Sequence, residues 1–411
     1  MAQEQVGMVQ GHVSWGGWIG RDRSGQVVWR WLQWLLVSVA IVPLLTACAL
    51  PQVQASDRIF LPLSIDFLSE YLLPKQTFQN TPVGGLSGIT YDRQRGLFYA
   101  ISDDRSNLAP ARFYTLSLDL DRSTPDAPQI QAVTVQAVTS LRDETGAPYA
   151  KDQIDPEGIA LTPQDTLFIT SEGDAKRAIP PAIQEFDRVT GQWKRRLPLP
   201  KRYAPQTDDE GKQTQGVADN LGFEPLTLGS VSPGAIEPFR LFTATESALV
   251  QDQEPAAAQP NASRNRWLHY SIDPDHALLL SEQLYEMESP PPGAQYHGLV
   301  EIVAIDQGGH FLSLERSFGT EGMTVKLFQL SLGSATDTIT IDQLRGSLPA
   351  VQPIRKRLLL DLTQLGIHLD NLEGMTLGPQ LPDGSRSLLM VSDDNFNSLQ
   401  ATQFLLFRLR G

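Results

Sequence analysis

A fivefold internal repeat is the feature that most constrains how this chain of 411 residues folds. Five pairs of short β-like runs recur along it: LSGITYD with LFYAISDD, PEGIALT with LFITSEG, FEPLTLG with LFTATES, LVEIVAID with HFLSLERS, and LEGMTLG with LLMVSDD. Counting from Ser87, the equivalent positions lie about 70 residues apart and are Glu157, Glu224, Glu301 and Glu373. Self-similarity at a near-constant period indicates a repeat architecture.

Each repeat has room for four strands. After its first two runs, the first unit continues with RFYTLSLDL (112–120) and AVTVQAVTSL (132–141), which are rich in β-branched and aromatic residues. Four antiparallel strands repeated radially predict an all-β chain, a β-propeller of five four-stranded blades, with six blades as the alternative. The last unit is one strand short, and we expect segment 65–73 to supply it and close the ring.

The same pattern predicts a crowd of carboxylates at one mouth of the propeller. In an antiparallel pair, the start of one strand lies beside the end of its neighbour. Glu157 should therefore lie near Glu172, and the later units should pair in the same way. The expected pairs are Glu224 with Glu246, Glu301 with Glu315, and Glu373 with Asp393 and Asp394, while Asp103 and Asp104 end the second strand of the first unit.

Crowded carboxylates need compensation, because like charges raise one another's pKa. A divalent cation is one solution, and calcium in particular takes six to eight oxygen ligands. The candidate metal ligands are Asp103, Glu157, Glu172, Glu224, Glu301, Glu373 and Asp393. The candidate catalytic residues are Glu157 and Glu373, each followed by a glycine that permits close backbone approach. The alternative for each carboxylate is a structural role at a strand end.

Positive side chains near the same strand ends supply the second kind of compensation. The candidates for binding an anionic substrate are Arg105, Arg112, Arg177 and Arg316. The formal net charge of the whole chain is nevertheless −14, which argues against a basic face that binds nucleic acid. The expected ligand is a small anionic ester, and the expected assembly is a monomer.

The N-terminal segment predicts an export signal and a lipid anchor. Residues 31–47 are uncharged and apolar, and Arg21, Arg23 and Arg30 precede them. The run ends in Leu-Thr-Ala before Cys48, the one cysteine of the chain, and this ending resembles a bacterial lipobox. The resemblance implies a signal peptide over 1–47, lipidation of Cys48, a short tether over 48–58 and one domain over 59–411. An uncleaved transmembrane anchor is the alternative.

The run GGLSGITYDRQRGLFYAISDDR, the later DPEGIAL and NLEGMTL, and the SDD endings resemble the phytase-like family, also described as "esterase-like activity of phytase". The resemblance implies a secreted or envelope propeller that hydrolyses esters or phosphoesters. The Pro-Glu-Gly opening also looks like the first metal-ligand motif of gluconolactonase-type propellers, which would make Glu157 a ligand.

The functional hypothesis is therefore a calcium-dependent ester or phosphoester hydrolase held at the bacterial cell envelope, outside the cytoplasm, through Cys48. The location would be the periplasm, the outer membrane or the cell surface. The first alternative is a non-catalytic propeller that binds a protein or polymer there, and the second is a metal-dependent lactonase.

Overall fold

The computed structural model describes residues 59–121, 123–124, 127–229, 238–255, 262–320 and 322–411. The segments predicted as signal peptide and tether, and Cys48, lie outside these residues, so the predictions made for them stay predictions. Nearly all regular structure in the described part is β-strand, joined by short 3-10 turns such as Lys201–Tyr203, Val250–Asp252 and Leu362–Leu365. In that part, no helix has the length and apolar character needed to cross a membrane.

The strands follow the repeat along the chain. Before and within the first unit they are β1 (Ser64–Leu73), β2 (Gln76–Phe78), β3 (Thr81–Val83), β4 (Leu86–Asp92), β5 (Leu97–Ser102), β6 (Arg112–Asp121) and β7 (Gln129–Ser140). The second unit contains β8 (Pro156–Leu161), β9 (Thr166–Ser171), β10 (Ala182–Asp187) and β11 (Trp193–Arg196), followed by β12 (Gln206–Thr207) and β13 (Gln213–Gln215). The third contains β14 (Phe223–Leu228), β15 (Phe239–Thr245), β16 (Arg264–Ile272) and β17 (Ala277–Glu286). The fourth contains β18 (Ala294–Ala304), β19 (His310–Gly319), β20 (Gly322–Ser331) and β21 (Arg355–Asp361), and the fifth β22 (Asn371–Gln380), β23 (Arg386–Asp393) and β24 (Thr402–Arg410).

These strands form a five-bladed propeller, which confirms the predicted fold class. Among the described residues there are five four-stranded antiparallel sheets, named blades 1 to 5: β4–β7, β8–β11, β14–β17, β18–β21, and β22–β24 with β1. The first strand of blades 1 to 4, and β22 in blade 5, is the innermost. These inner strands contact one another in cyclic order, because β4 touches β8, β8 touches β14, and so on until β22 touches β4.

The fifth blade joins the two ends of the propeller domain. Its outer strand is β1, which runs antiparallel to β24 from the Ser64–Arg410 pair to the Leu73–Thr402 pair. A segment from the start of the domain is thus hydrogen-bonded to its last strand. Paired in this way, the backbone groups on that side of β24 are not left as an exposed edge.

The core is divided among the interfaces between blades. Five apolar clusters are found in the described residues, and each combines strands of two neighbouring blades. Between blades 3 and 4, for example, the fully buried Trp267 meets the ring of Phe311 edge-on at 5.1 Å between centroids. Since burying apolar surface is the main favourable term in folding, the contacts that hold the ring together also fix how the inner strands face each other.

Every inner strand carries a β-bulge near its start. The register shifts by one residue at Ser87 in blade 1 and at Glu373 in blade 5, and the shifts in blades 2 and 3 include Glu157 and Glu224. In blade 4 the extra residue is Val300. Bulges turn side chains in a new direction and are common next to active sites.

The bulge corrects one predicted equivalence. In blade 4, Leu299 pairs with Glu315 and Glu301 pairs with Leu314. Val300, rather than Glu301, therefore occupies the position of Glu157 and Glu373, and the expected Glu301–Glu315 pair does not form. The similarity of the apolar runs suggested an alignment that is one residue off, because a bulge is visible only in the pairing of the strands.

Candidate functional site

The first-strand bulges and the second-strand ends surround a cavity of about 860 Å³ at one mouth of the ring. Its floor contains Asp103, Glu157, Glu224, Glu373 and Asp393. These acidic residues are distant in sequence, and the fivefold geometry brings them together. The bulge positions Ser87, Glu157, Glu224, Val300 and Glu373 surround a gap too narrow for water, together with Gly158 and Glu301.

A second ring of equivalent positions lies at or near the end of the second strand of each blade. By register, its members are Asp103, Glu172, Glu246, Arg316 and Asp393. The blades thus contribute an acidic residue at this position in every case except blade 4, which contributes a guanidinium.

The SDD endings divide their two aspartates between different roles. Asp393 lines the cavity, but Asp394 accepts a hydrogen bond from the backbone N–H of Gly85 at 2.9 Å and pairs with Lys75. In blade 1, Asp104 likewise turns away and accepts from three backbone N–H groups of its own loop, those of Asn107, Leu108 and Ala109. The first aspartate faces the mouth, and the second stabilises the loop.

Two triads of carboxylates in the described residues are close enough to hold a cation. Asp103, Asp155 and Glu157 form one, and Glu172, Glu224 and Glu246 form the other. Within each triad, one oxygen from each member lies within 4.8 Å of the others. The triads adjoin each other, since the Glu172 carboxylate repels that of Asp155 and the Glu224 carboxylate repels that of Glu157.

Burial and mutual repulsion make the ionised form of this group unfavourable. Burial, followed by the neighbouring carboxylates, raises the pKa of each of Asp155, Glu157, Glu172, Glu224 and Asp393 well above its ordinary value. Burial also raises the pKa of Glu246 and of Glu373, each to about 7, with the Arg316 guanidinium opposing the rise in both cases. At neutral pH the cluster therefore needs protons or cations.

The partners of individual carboxylate oxygens indicate whether an arginine or a cation balances the negative charge of each triad. The buried Glu224 Oε2 has no hydrogen-bond partner, and neither does Asp155 Oδ1. In the Asp103–Asp155–Glu157 triad, the Arg105 guanidinium lies 2.6 Å from Asp155 Oδ2 and already supplies positive charge. In the Glu172–Glu224–Glu246 triad the nearest guanidinium contact is longer, 3.3 Å from Arg316 to Glu246 Oε1. Its donor set of carboxylate oxygens fits a hard divalent cation such as calcium.

Arg316 is the positive group of the second ring. Its guanidinium lies 3.0 Å from Glu373 Oε1 and 3.3 Å from Glu246 Oε1, and it also contacts Asn371. Asn371 donates in turn to Glu373 Oε1 at 2.8 Å. The carboxylate of Glu373 is thus held from two sides at the edge of the cavity.

The other candidate arginines differ in their surroundings. Arg105 lies beside the first triad, but Arg112 is fully buried and pairs with Asp104 at 2.6 Å, away from the cavity lining. Arg177 is a surface residue that pairs with Asp174 and with Asp152. The structure therefore brings Arg105 and Arg316 to the acidic cluster, whereas Arg112 and Arg177 do not line the cavity.

Glu301 and Glu315 also lie outside the lining of the large cavity. Glu301 Oε1 accepts hydrogen bonds from the backbone N–H groups of Leu226 at 3.1 Å and Ile302 at 2.9 Å. Glu315 accepts from the Tyr285 hydroxyl at 2.7 Å and pairs with Lys356. Both carboxylates are satisfied by the fold of blades 3 and 4.

Sequence reasoning did not single out some residues of the cluster. Asp155 precedes the Pro-Glu-Gly opening and could have been found by its proximity to Glu157. Glu246 was expected at the mouth but not as a ligand. No sequence signal marked Asn371 or Asn220, although Asn220 lines the cavity and contacts Arg105.

The fold and this mouth define the class of protein: a five-bladed β-propeller with a carboxylate-lined cavity at one end of its ring. The sequence comparison then gives the family. The chain belongs to the phytase-like family, described as "Esterase-like activity of phytase", whose sequence profile matches residues 81–396. No curated protein matches the chain.

Several solved structures resemble the chain distantly. A GH62 hydrolase in complex with xylotriose is 10% identical, with 84% of this chain and 96% of that chain covered and a TM-score of 0.37. A β-fructofuranosidase from Schwanniomyces occidentalis, complexed with fructosyl-erythritol, is 10% identical, with 83% of this chain and 58% of that chain covered and a TM-score of 0.38. The Neurospora crassa Pan2 WD40 domain is 10% identical, with 84% of this chain and 95% of that chain covered and a TM-score of 0.28. Likenesses this distant carry no argument about function.

Proposed function

We propose that this protein is a divalent-cation-dependent hydrolase of ester or phosphoester substrates, with calcium as the cation and the carboxylate-lined cavity as the active site. The observation that carries the proposal is the Glu172–Glu224–Glu246 triad, in which the buried Glu224 Oε2 has no protein partner. Family membership supports the type of reaction.

The residues of the triad would hold the cation, with Asp103, Asp155 and Glu157 as a second, partly neutralised set of oxygen ligands. A divalent cation bound there would polarise the ester or phosphoryl oxygen and lower the pKa of water. The carboxylates themselves bind the cation and exclude anions that arrive without one. Substrate binding and cation binding are therefore expected to depend on each other.

Arg316 and Glu373 would act on the substrate side of the cluster. The Arg316 guanidinium is a fork of N–H donors suited to an anionic oxygen, and it lies against Glu246 and Glu373 at the edge of the cavity. Glu373, positioned by Arg316 and Asn371, would accept the proton of the attacking water. The water oxygen then bonds to the acyl carbon or phosphorus, the bond from that atom to the ester oxygen breaks, and the alcohol leaves with the proton that Glu373 accepted.

The test is turnover of phosphomonoesters and carboxylic esters, with calcium and after EDTA treatment. We expect calcium-dependent hydrolysis that falls by at least about a hundredfold in Glu373→Gln, the size typical of losing a general base, and that also falls in Glu157→Gln, which removes an oxygen ligand of the cation. Glu144→Gln, an exposed loop carboxylate, is the control. Calcium binding without turnover of any substrate would exclude the hydrolase and leave a binding propeller.

We also propose that the protein is held at the bacterial cell envelope by lipidation of Cys48. The support is the sequence before Cys48, namely the arginines, the uncharged run and the small residues that follow it. Several acyl chains would be enough for stable membrane attachment.

A further inference from the structure

Blade 4 presents an apolar wall above the acidic floor. Tyr296, Phe318 and Met323 lie opposite one another on β18, β19 and β20, and all three line the large cavity. Tyr296 is 59% exposed and Phe318 44% exposed. Leu399, which is 91% exposed, and Ile367 also line the cavity.

The wall is built by extra strand length. In blade 4, β18 has 11 residues and β19 has 10, whereas β8 and β9 of blade 2 have 6 each. The added residues continue past the second-ring position Arg316 and remain hydrogen-bonded as a sheet. Large apolar side chains exposed together on paired strands indicate a binding surface, because single exposed residues are common but contiguous patches are not.

The apolar wall adjoins Arg316, the arginine that lines the otherwise acidic cavity. Phe318 follows Arg316 by two positions on β19, and alternate residues of a strand point to the same face. A ligand whose anionic group contacts Arg316 would therefore extend its next atoms along Phe318 and Tyr296. A cation at the carboxylate triads and the guanidinium would bind the anionic group, and the wall would bind an uncharged remainder.

The charge of the cavity argues against a substrate with many phosphates. Among the described lining residues there are seven carboxylates and one guanidinium, that of Arg316. A polyanion would need a separate positive partner for each phosphate, and the apolar wall offers none. A compound with one anionic group and an apolar or aromatic remainder matches both halves of the cavity.

We propose that the Tyr296–Phe318–Met323 wall is a specificity subsite that binds the apolar or aromatic part of a phosphomonoester. This inference rests on the proposed function for the identity of the anionic group. The wall selects the organic part of the substrate, and the acidic floor with its cation selects the reacting group.

The experiment measures binding and turnover separately on the same protein. Isothermal titration calorimetry in calcium compares phenylphosphonate with methylphosphonate, which share an anionic group and cannot be hydrolysed at the P–C bond. We expect phenylphosphonate to bind about tenfold more tightly, the effect of burying part of one ring. The preference should disappear in a Tyr296→Ser/Phe318→Ser double variant.

Leu358→Ser is the matched control, because Leu358 is also in blade 4 and 50% exposed but lies on the outer strand, away from the cavity. It should retain the preference. Equal affinity for the two phosphonates, no binding of either, or a preference that survives in the double variant would overturn the inference. Hydrolysis of phenyl phosphate and phenyl acetate tests the hydrolase itself, so a preference in binding without turnover would keep the subsite and remove the proposed function.

Discussion

Replacing Glu224 by glutamine should change the stability of the protein in opposite directions with and without calcium. Glu224 is buried beside the Glu172 and Glu246 carboxylates, and its Oε2 has no partner. Repulsion from Glu246, Glu373 and Glu172 adds to the burial that raises its pKa. In EDTA, Glu224→Gln removes a carboxyl group whose ionisation opposes folding, because burial and its neighbours raise its pKa, and it should therefore stabilise the fold. In calcium, it removes a ligand and should weaken the stabilisation that the cation provides.

The size of the calcium effect follows from linkage. A cation at a hundred times its Kd stabilises the folded state by about 2.7 kcal/mol. Unfolding entropy is about 2.1 cal/mol/K per residue, so for the roughly 350 residues of the unit Ile59–Gly411 the melting temperature should rise by about 4 °C. Glu224→Gln should lose most of that rise.

The assay is differential scanning calorimetry at pH 7, in EDTA and in excess calcium. Glu282→Gln is the matched control, because Glu282 is a fully buried carboxylate that pairs with Arg266 outside the cavity. Breaking that ion pair should lower the free energy of unfolding by about 3 kcal/mol or more, equally in EDTA and in calcium. A wild-type protein that shows no calcium shift, or a Glu224→Gln variant that keeps the full shift, would refute the assignment of the cation to this triad.

The remaining expectations concern pH, the arginine and the anchor. Without calcium, the free energy of unfolding should fall as pH rises from about 4.5 to 7. The reason is that Glu246 and Glu373 have pKa values raised from 4.5 to about 7 in the folded protein, which therefore binds more protons than the unfolded chain. Urea titrations across pH measure this, and a flat or rising profile would contradict it. Arg316→Gln should raise KM for phosphomonoesters by about tenfold or more, the loss expected for one charge-assisted contact, whereas Arg177→Gln should leave kinetics unchanged. Cys48→Ala should release the protein from the membrane fraction and remove the acyl mass seen by mass spectrometry; retention of both would exclude a thioether lipid on Cys48.

Much of the fold was accessible from sequence because its signals are local. Turn residues, β-branched runs and a period of about 70 residues recur five times, and four strands per unit leave few architectures other than a propeller. The positions of Glu157, Glu224 and Glu373 at the mouth followed from strand polarity alone, since antiparallel neighbours begin and end on the same side.

Other features depended on contacts between segments. The bulge in blade 4 places Val300 where the repeat suggested Glu301, and only the pairing of Leu299 with Glu315 reveals it. Arg112 and Arg316 both lie near strand ends, yet Arg112 forms a buried ion pair with Asp104 whereas Arg316 lines the cavity. The apolar wall likewise arises from the extra length of paired strands in blade 4.

The amino-acid order by itself determined the repeat of four-stranded units, the end of the ring at which acidic groups accumulate and the strong negative charge, and it favoured five blades over six. Tertiary structure decided which carboxylates lie close together, which of them form ion pairs with arginines, and that an apolar wall lines the same cavity. The physical reason is that strand periodicity depends on near neighbours in the chain, whereas a side chain's direction at a bulge and its free energy of ionisation depend on atoms brought from other blades.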